Sequence, residues 1–530
     1  MKDNSSIGER NNYSSGRAVG DAAYLALSVL IVKVLGLIYK IPLSSYLGDE
    51  GMGYFNSAYT IYSFFYLLCS AGVPKAITFL FLNDNESSNK RSGYQNLRIS
   101  MRIFLMIGIL LTTAFIFLAG PISVLIGNRG SFLTMLTIAP TIIFVSLSGV
   151  MRGYLNAEMK LIHVGISQII EGVCRLLLGL LLAREAIDRG LSLEEASALT
   201  ILGVTLGSIV SFVYSFCCIK DRKSDYKERQ NIKAEDYLNV GKSILKISLP
   251  ITLSSAIMSF GNLIDLSLIM KRLETIGYSE AQASALYGNY TTLAVPMFNF
   301  VISLITPLSV SFLPVFLKAG TSKERTAALK DSLGITAFVS APMIIGLSCF
   351  SGEILALLFG KGPAESGDSL LTLLMPAALF SSLLLIVNSA LESSGSIRAP
   401  LVSMLIGGLF KLVISHFMLG TSRFGISGAP ISTVISYGIS LLISVLYLSA
   451  KHKISVPIFS TQIIPYLNAS LSVFISKEIY SLLIRSRGEA LSLGLSILTC
   501  GLIYVIMSLF SGAFTVKKLI KIAKYTKIAE

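Results

Sequence analysis

The sequence predicts an all-α membrane protein of about fourteen transmembrane helices, built as two pseudo-symmetric six-helix lobes plus two C-terminal helices. Three observations carry this prediction. Charged residues make up 14% and hydrophobic residues 53% of the 530 positions, where soluble proteins carry about 25% charged residues. Apolar runs of bilayer-crossing length, about 20 residues, recur nearly end to end and leave no polar block large enough for a soluble catalytic domain. The connections between runs alternate between basic and acidic or nearly neutral, as happens when cytoplasmic loops collect Lys and Arg.

Taken in order, the spans centre near Lys33, Leu67, Ile109, Val145, Gly172, Leu206, Met258, Val301, Ser340, Leu379, Lys411, Tyr437, Val473 and Gly501. The basic connections are residues 1–20, 90–102, 152–160, 220–246, 318–330, 451–453 and the C-terminal tail. The others lie at 49–50, around Arg129, at 184–195, 271–280 and 353–368, and around Arg423; 477–489 is mixed. This alternation predicts a multi-pass cell-membrane protein with both termini cytoplasmic. Residues 1–20 are polar and lack a charged-then-apolar leader, so the first span is expected to act as its own signal. The six cysteines fall in or beside apolar runs and read as buried small hydrophobes rather than a disulfide framework. Tryptophan is absent, which leaves interfacial anchoring to the 22 tyrosines. The net charge of +14 sits in short loops and in the tail around Lys517 and Lys518. It therefore points to anionic lipid and not to nucleic acid.

The domain boundaries follow: 1–20 an N-terminal tail, 21–219 the first lobe, 220–246 a charged cytoplasmic linker, 247–450 the second lobe, 451–512 the last two spans, and 513–530 a basic tail. An internal repeat supports the two lobes. An offset of 233 carries Tyr54, Pro74, Phe79 and Leu80 onto Tyr287, Pro307, Phe312 and Leu313. An offset of 236 carries Pro140, Phe144, Ser146, Leu155, Ser167, Ile170, Gly172 and Arg175 onto Pro376, Phe380, Ser382, Leu391, Ser403, Ile406, Gly408 and Lys411. An even number of spans between copies gives both the same orientation, related by an axis along the membrane normal.

Ionisable residues inside apolar spans are costly and mark function. Lys33, Lys40, Lys75, Arg175 and Lys411 are the basic ones; Glu171 and Asp265 are the chief acidic ones. Lys40 and Lys75 stand toward span ends, where snorkelling to the head-group region competes with a binding role. Lys33, Arg175 and Lys411 stand near span centres. Glu171 and Arg175 are four apart on one helix face, so an intrahelical ion pair is expected. Lys411 has Gly407 where that glutamate would be. Asp265, with Asn262 a turn before it, is open to two readings, as a partner for a cavity lysine or as a cation or proton site. Lys33, Lys40, Arg175 and Lys411 are the candidate substrate ligands of a net-positive cavity, which suits a pyrophosphate head group better than a cationic drug. Gly72, Pro74 and Pro307 interrupt spans and are the candidate gate or hinge. The three histidines show no metal-ligand spacing and no phosphate loop of the Walker type is present, so neither a catalytic residue, a metal nor a cofactor is expected.

The stretch VKVLGLIYKIPLSSYLGDEGMGYFNSAYTIYSFFYLLCSAGVPKAI, with its Gly-Asp-Glu-Gly-Met-Gly turn and Ala-Gly-Val-Pro break, is similar to the opening of the stage V sporulation protein B group of polysaccharide biosynthesis proteins. With the two-lobe repeat and two extra helices, the chain resembles the multidrug/oligosaccharidyl-lipid/polysaccharide flippase superfamily, including the related MurJ-type lipid II flippases. Lys33 opens a Lys-Val-Leu-Gly run where those relatives have Arg-Val-Leu-Gly, and Tyr39-Lys40 stands where they have an Arg-Asp pair. The resemblance implies a flippase, not an enzyme, that moves a lipid-linked sugar such as lipid II by alternating access, in peptidoglycan or spore-cortex synthesis. Its expected partners are a lipid-linked oligosaccharide, membrane lipids and cell-wall synthesis enzymes. An ion gradient or the membrane potential would drive it, and the last two helices would form a lipid-accommodating groove. The alternatives are a flippase for another lipid-linked polysaccharide unit, a cation-coupled multidrug antiporter, and a membrane scaffold.

Overall fold

The computed structural model describes residues 4–70, 72–86, 90–220, 234–396 and 398–512. Part of the expected linker and all of the basic tail lie outside them. Every regular element among the described residues is helical.

Helix α1 (Asn4–Ser70) is two helices joined across a kink at Gly48, whose φ of 62° and ψ of −175° are non-helical. The expected turn over residues 48–53 thus shrinks to one residue. Lys40 Nζ nevertheless donates to Asn56 Oδ1 at 3.3 Å, 16 positions away. A straight helix would hold those residues about 24 Å apart, so the two halves of α1 fold back on each other. The expected break at 71–74 is present: α1 ends at Ser70 and α2 (Val73–Glu86) begins three residues on. Gly72 lies there against the Ser248 backbone.

Next come α3 (Lys90–Ile126), α4 (Phe132–Ile138), α5 (Thr141–Ala157), α6 (Leu161–Asp188), α7 (Leu193–Lys220), α8 (Ala234–Thr275) and α9 (Glu280–Asn289). A π-helical turn, Tyr290–Ala294, leads into α10 (Val295–Lys318). Then follow α11 (Ser322–Cys349), α12 (Ser351–Phe359), α13 (Lys361–Ser393), α14 (Arg398–Leu419), α15 (Gly428–His452), α16 (Ile458–Arg487) and α17 (Glu489–Phe510). Among the described residues, eleven helices are long and apolar enough to cross a membrane, or twelve with α4 and α5, bent by 42°, taken as one span. The expected fourteen is not reached by that measure. The run Leu27–Leu82 counts once although its 56 residues contain the Gly48 kink, and α8 is not among the eleven.

Packing divides the chain into two compact units, Met1–Lys271 with Ser279–Gly288, and Arg272–Tyr278 with Asn289–Glu530. In the first, Val73, Ile77 and Phe81 of α2 pack with Leu97, Ile99 and Phe104 of α3, Val150 of α5, and Val240 and Ile244 of α8. Small residues bring other helices close, as is usual where lipid supplies no hydrophobic drive between helices. A Cβ built on Gly203 of α7 falls 2.5 Å from the Gly179 nitrogen of α6, and one on Gly207 falls 2.8 Å from the Glu171 carbonyl. The segment Ser279–Gly288 docks the same way: a Cβ on Gly288 would lie 2.7 Å from the Gly53 nitrogen. Asn128 Nδ2 bonds both Ser57 and Ser284 hydroxyls, at 2.9 and 3.3 Å. Thr60 Oγ1 and the Tyr287 hydroxyl are 3.1 Å apart.

The second unit centres on Phe312, Phe316, Leu333, Leu383, Ile386, Val387 and Leu441. Helices α16 and α17 attach to α11, where the Tyr504 hydroxyl donates to the Phe338 carbonyl at 2.9 Å and Gln462 Nε2 to the Leu333 carbonyl at 3.2 Å. At one end of α11 they line, with α12 and α13, an open cleft of about 580 Å³. Lys477 Nζ bonds the Cys349 carbonyl there at 2.8 Å and Lys361 pairs with Glu489 at 2.9 Å. Large apolar side chains such as Met106, Phe117, Phe459 and Phe510 stay exposed on the outside, the surface a lipid-facing helix presents.

Candidate functional site

Several charged residues of the first unit gather where α1 meets α6. Lys33, Gly36 and Lys40 fall on one stripe of α1, since residues three, four and seven apart share a helix face. Gly36 leaves room for Arg175 of α6: a Cβ there would sit 3.4 Å from Arg175 Nη2. Two turns of α1 pack at the same level, with Leu35 and Val32 against Gly172. Arg175 Nη1 donates to the Tyr59 hydroxyl at 3.4 Å, while its Nε is buried without a hydrogen-bond partner. The Tyr39 hydroxyl is likewise buried and unpartnered, in a side chain only 4% exposed. It lies against Gly179, where a Cβ would overlap it. Lys40 is tied to Asn56, and the Lys33 side chain is exposed.

Aromatic rings continue this surface along α1. Tyr39 meets Phe55 edge-on at 6.1 Å between centroids, Phe55 stacks on Tyr59 at 6.3 Å, and Tyr62 follows at 5.8 Å and Tyr66 at 6.0 Å. Positions 55, 59, 62 and 66 repeat at helical spacing, so the row follows from the register of α1 after Gly48.

The expected Glu171–Arg175 pair is not formed. Glu171 Oε2 instead takes Arg152 Nη2 of α5 at 2.6 Å. The Arg152 guanidinium is further held by Ser167 of α6 at 3.1 Å and Ser211 of α7 at 3.0 Å. Spacing along one helix offered Glu171 a partner, but a bidentate-capable guanidinium from the neighbouring helix, held by two hydroxyls, offers better geometry. In the sequence Arg152 opens the basic connection 152–160. In the structure it lies inside α5, with a side chain 12% exposed. The small residues around it, Ser148, Gly149 and Gly153, were the available sign that the helix continues in a packed environment.

The other expected residues are dispersed. Lys411 is half-buried on α14 of the second unit, and Gly407 is buried. A Cβ on Gly407 would overlap Ser440 Oγ, so nothing larger fits where Glu171 has its counterpart. On α8, Asn262 is exposed and Asp265 half-buried. Pro74 is half-buried at the start of α2, Lys75 beside it is exposed, and Pro307 is exposed on α10.

The internal repeat is visible in side-chain bonding. Ser211 donates to the Ser167 carbonyl at 2.9 Å in the first unit, and Ser440 to the Ser403 carbonyl at 3.1 Å in the second. The offset of 236 that relates Ser167 to Ser403 places Arg152 on Asn388. Asn388 is also bonded into this serine network, accepting from Ser444 at 3.3 Å.

The family model described as "Lipid II flippase MurJ" matches residues 133–524, well over half of the chain. The protein belongs to the MurJ family. Stage V sporulation protein B of Bacillus subtilis is 22% identical over 488 residues, 91% of this chain and 92% of its own. A solved structure of lipid II flippase MurJ in an inward closed conformation superposes with a TM-score of 0.70 at 16% identity, over 92% of this chain and 98% of the other. An inward-facing multidrug resistance MATE transporter of the MOP superfamily gives 0.65 at 12% identity, over 80% and 96%. The chain thus shares its fold with both solved transporters, and as a MurJ-family member it is a multi-pass membrane flippase. Within it the α1–α6 cluster sets Lys33, Lys40, Arg152 and Arg175 against one carboxylate, Glu171. A guanidinium with an idle N–H, two ammonium groups and the one unpartnered phenol hydroxyl, that of Tyr39, form a donor set suited to phosphate oxygens.

Proposed function

We propose that this MurJ-family chain moves a polyprenyl-pyrophosphate-linked cell-wall sugar precursor, lipid II in the first place, across the cytoplasmic membrane by alternating access. Both termini are cytoplasmic in this reading, and the work serves peptidoglycan or spore-cortex synthesis. The observation that carries it is Arg175: a membrane-embedded guanidinium on α6 whose Nε has no partner, set on Gly36 between Lys33 and Lys40. A buried unsatisfied donor costs about 1–3 kcal/mol, more when charged, and a pyrophosphate oxygen would relieve that cost. Lys40 and Lys33 would take further oxygens while the polyprenyl tail stays in lipid. Lys411 supplies the corresponding cation of the second half. The relatives' names, lipid II flippase MurJ and stage V sporulation protein B, support the substrate class. The membrane potential or an ion gradient would supply the drive; each charge crossing about 100 mV is worth roughly 2.3 kcal/mol.

The pyrophosphate is common to many lipid-linked glycans, and in this reading Lys33, Lys40 and Arg175 would take that common part. A flippase for another lipid-linked polysaccharide unit is the second reading, favoured by Tyr39-Lys40 standing where the related lipid II flippases have Arg-Asp. Purified protein in vesicles, offered lipid II and other polyprenyl-pyrophosphate glycans side by side, separates the two. Arg175→Ala should lower flipping of the accepted lipid by about tenfold or more, the usual cost of truncating one partner of a buried charged contact. Full activity of Lys33→Ala, Arg175→Ala and Lys411→Ala, each shown to be expressed, would remove the cationic site from the mechanism.

A further inference from the structure

Glu171 is unexplained by an anion site. A carboxylate one helical turn from Arg175 competes with the ligand for the same guanidinium, and the second half of the chain does without it. At the repeat-equivalent positions stand Asn388 for Arg152, Gly407 for Glu171 and Lys411 for Arg175. The cation is kept and both members of the ion pair are lost together. The pair therefore behaves as a unit, present in one half and absent from the other.

Its geometry shows what the unit does. Glu171 and Arg175 share a face of α6, four residues apart, so a change of side-chain rotamer carries the carboxylate toward the guanidinium with no backbone movement. In the structure the carboxylate is turned the other way, onto Arg152 at 2.6 Å. Arg152 is itself immobilised by Ser167 and Ser211, from two different helices. Arg175 is left with an idle Nε, the state in which an anion gains most.

We infer that Glu171 is a resident competitor for the substrate phosphate: Arg152 holds it away while Arg175 binds, and its return to Arg175 helps the substrate leave. Arg152 is then a positioning residue, acting on the ligand only through Glu171. The need for such a device follows from burial. A guanidinium stripped of its counter-anion in a low-dielectric site is costly, so a multiply charged head group would be held too tightly for turnover. Glu171 supplies a replacement anion at the moment of release, and Arg152, which it leaves, keeps the Ser167 and Ser211 hydroxyls as partners. No bond is made or broken and no proton needs to move.

This inference rests on the pyrophosphate reading of Arg175, and the test keeps the two apart. Binding of undecaprenyl pyrophosphate to the purified full-length protein is measured together with lipid II flipping in vesicles, for the wild type, R175A, R152A, E171Q and R152N/E171A. The double variant approximates what the second half carries at these positions, and remains informative should R152A fail to fold. R152A frees Glu171 to occupy Arg175, so binding should weaken about tenfold or more. E171Q and R152N/E171A should bind at least as tightly as wild type, yet flip several-fold more slowly because release is impaired. If R175A binds as wild type, or the wild type neither binds nor flips, the pyrophosphate reading falls and the inference with it. If R175A abolishes binding while E171Q and the double variant leave both affinity and rate unchanged, the competitor role alone is overturned. Weak binding by the double variant, in folded protein, assigns Arg152 a direct contact instead and likewise overturns it.

Discussion

Two glycines of α1 decide where the charged side chains of the first unit stand, and they act by different physics. Gly36 acts by space. A Cβ there would meet Arg175 Nη2 at 3.4 Å, an ordinary contact, so Gly36→Ala should flip its substrate nearly as wild type. Gly36→Leu should push the guanidinium off its seat and abolish flipping in vesicles, with expression unchanged. Gly48 acts by conformation. Nothing lies within 4 Å of a Cβ built on it, but its φ is +62°. With ψ at −175° this is a region that essentially only glycine adopts, so Gly48→Ala should cost about 1–3 kcal/mol through backbone strain alone, read as a lower melting temperature in detergent. The sequence showed the lysines and Arg175 as anomalies of depth, because a charge in an apolar run needs no structure to be noticed. It did not show Arg152, whose neighbours in sequence are basic and polar at one end, nor the exchange of Glu171 from its helix neighbour to Arg152. Which of two available partners wins depends on a helix crossing, and crossings are set by contacts far apart in the chain.

Helix pairs in this protein meet through small residues, and the α6–α7 crossing is one such close approach. Gly203 approaches the Gly179 backbone so nearly that any side chain must separate the helices. Gly203→Leu should destabilise the first unit by about 1–3 kcal/mol or more. It should also reduce flipping, because α6 carries both Glu171 and Arg175; thermal melting and the vesicle assay check the two effects. The two last helices are held differently. Lys477 bonds the Cys349 carbonyl and lies 6.0 Å from the Phe350 ring centroid, but its side chain is half exposed. Lys477→Met should consequently cost no more than about 1 kcal/mol, with apolar contacts such as Phe338 on Tyr504 keeping α16 and α17 in place. Helix existence was legible from apolar runs, and breaks at Gly48 and Gly72 were legible from glycine and proline. The α4–α5 bend and the π-helical turn at Tyr290–Ala294 were not, since neither changes the period of the hydrophobic pattern enough to be read.

At the scale of the whole molecule the sequence conveyed a membrane transporter with two repeated halves, and Ser167–Ser211 and Ser403–Ser440 repeat the same bond in each. The expected linker lies in part outside the described residues. Compact packing carries Ser279–Gly288 with the first unit, where it docks on Gly53, Ser57 and Thr60 by close approach that no local pattern announces. The π-helical turn that follows is a common site of adjustment within helices. Pro307 lies further along the same run, exposed on α10. Pro307→Ala should raise the melting temperature, since proline is the costliest residue inside a helix. It should also slow flipping if that proline belongs to the gate; unchanged flipping would remove it. The kink at Gly48 has a last consequence, for biogenesis. A lone lysine entering the bilayer on a single helix is resisted by several kcal/mol. Because α1 doubles back at Gly48, Lys40 arrives with Asn56 already bonded to it, so the chain's first two passes are suited to enter the membrane as one preassembled hairpin that carries its own charge partner.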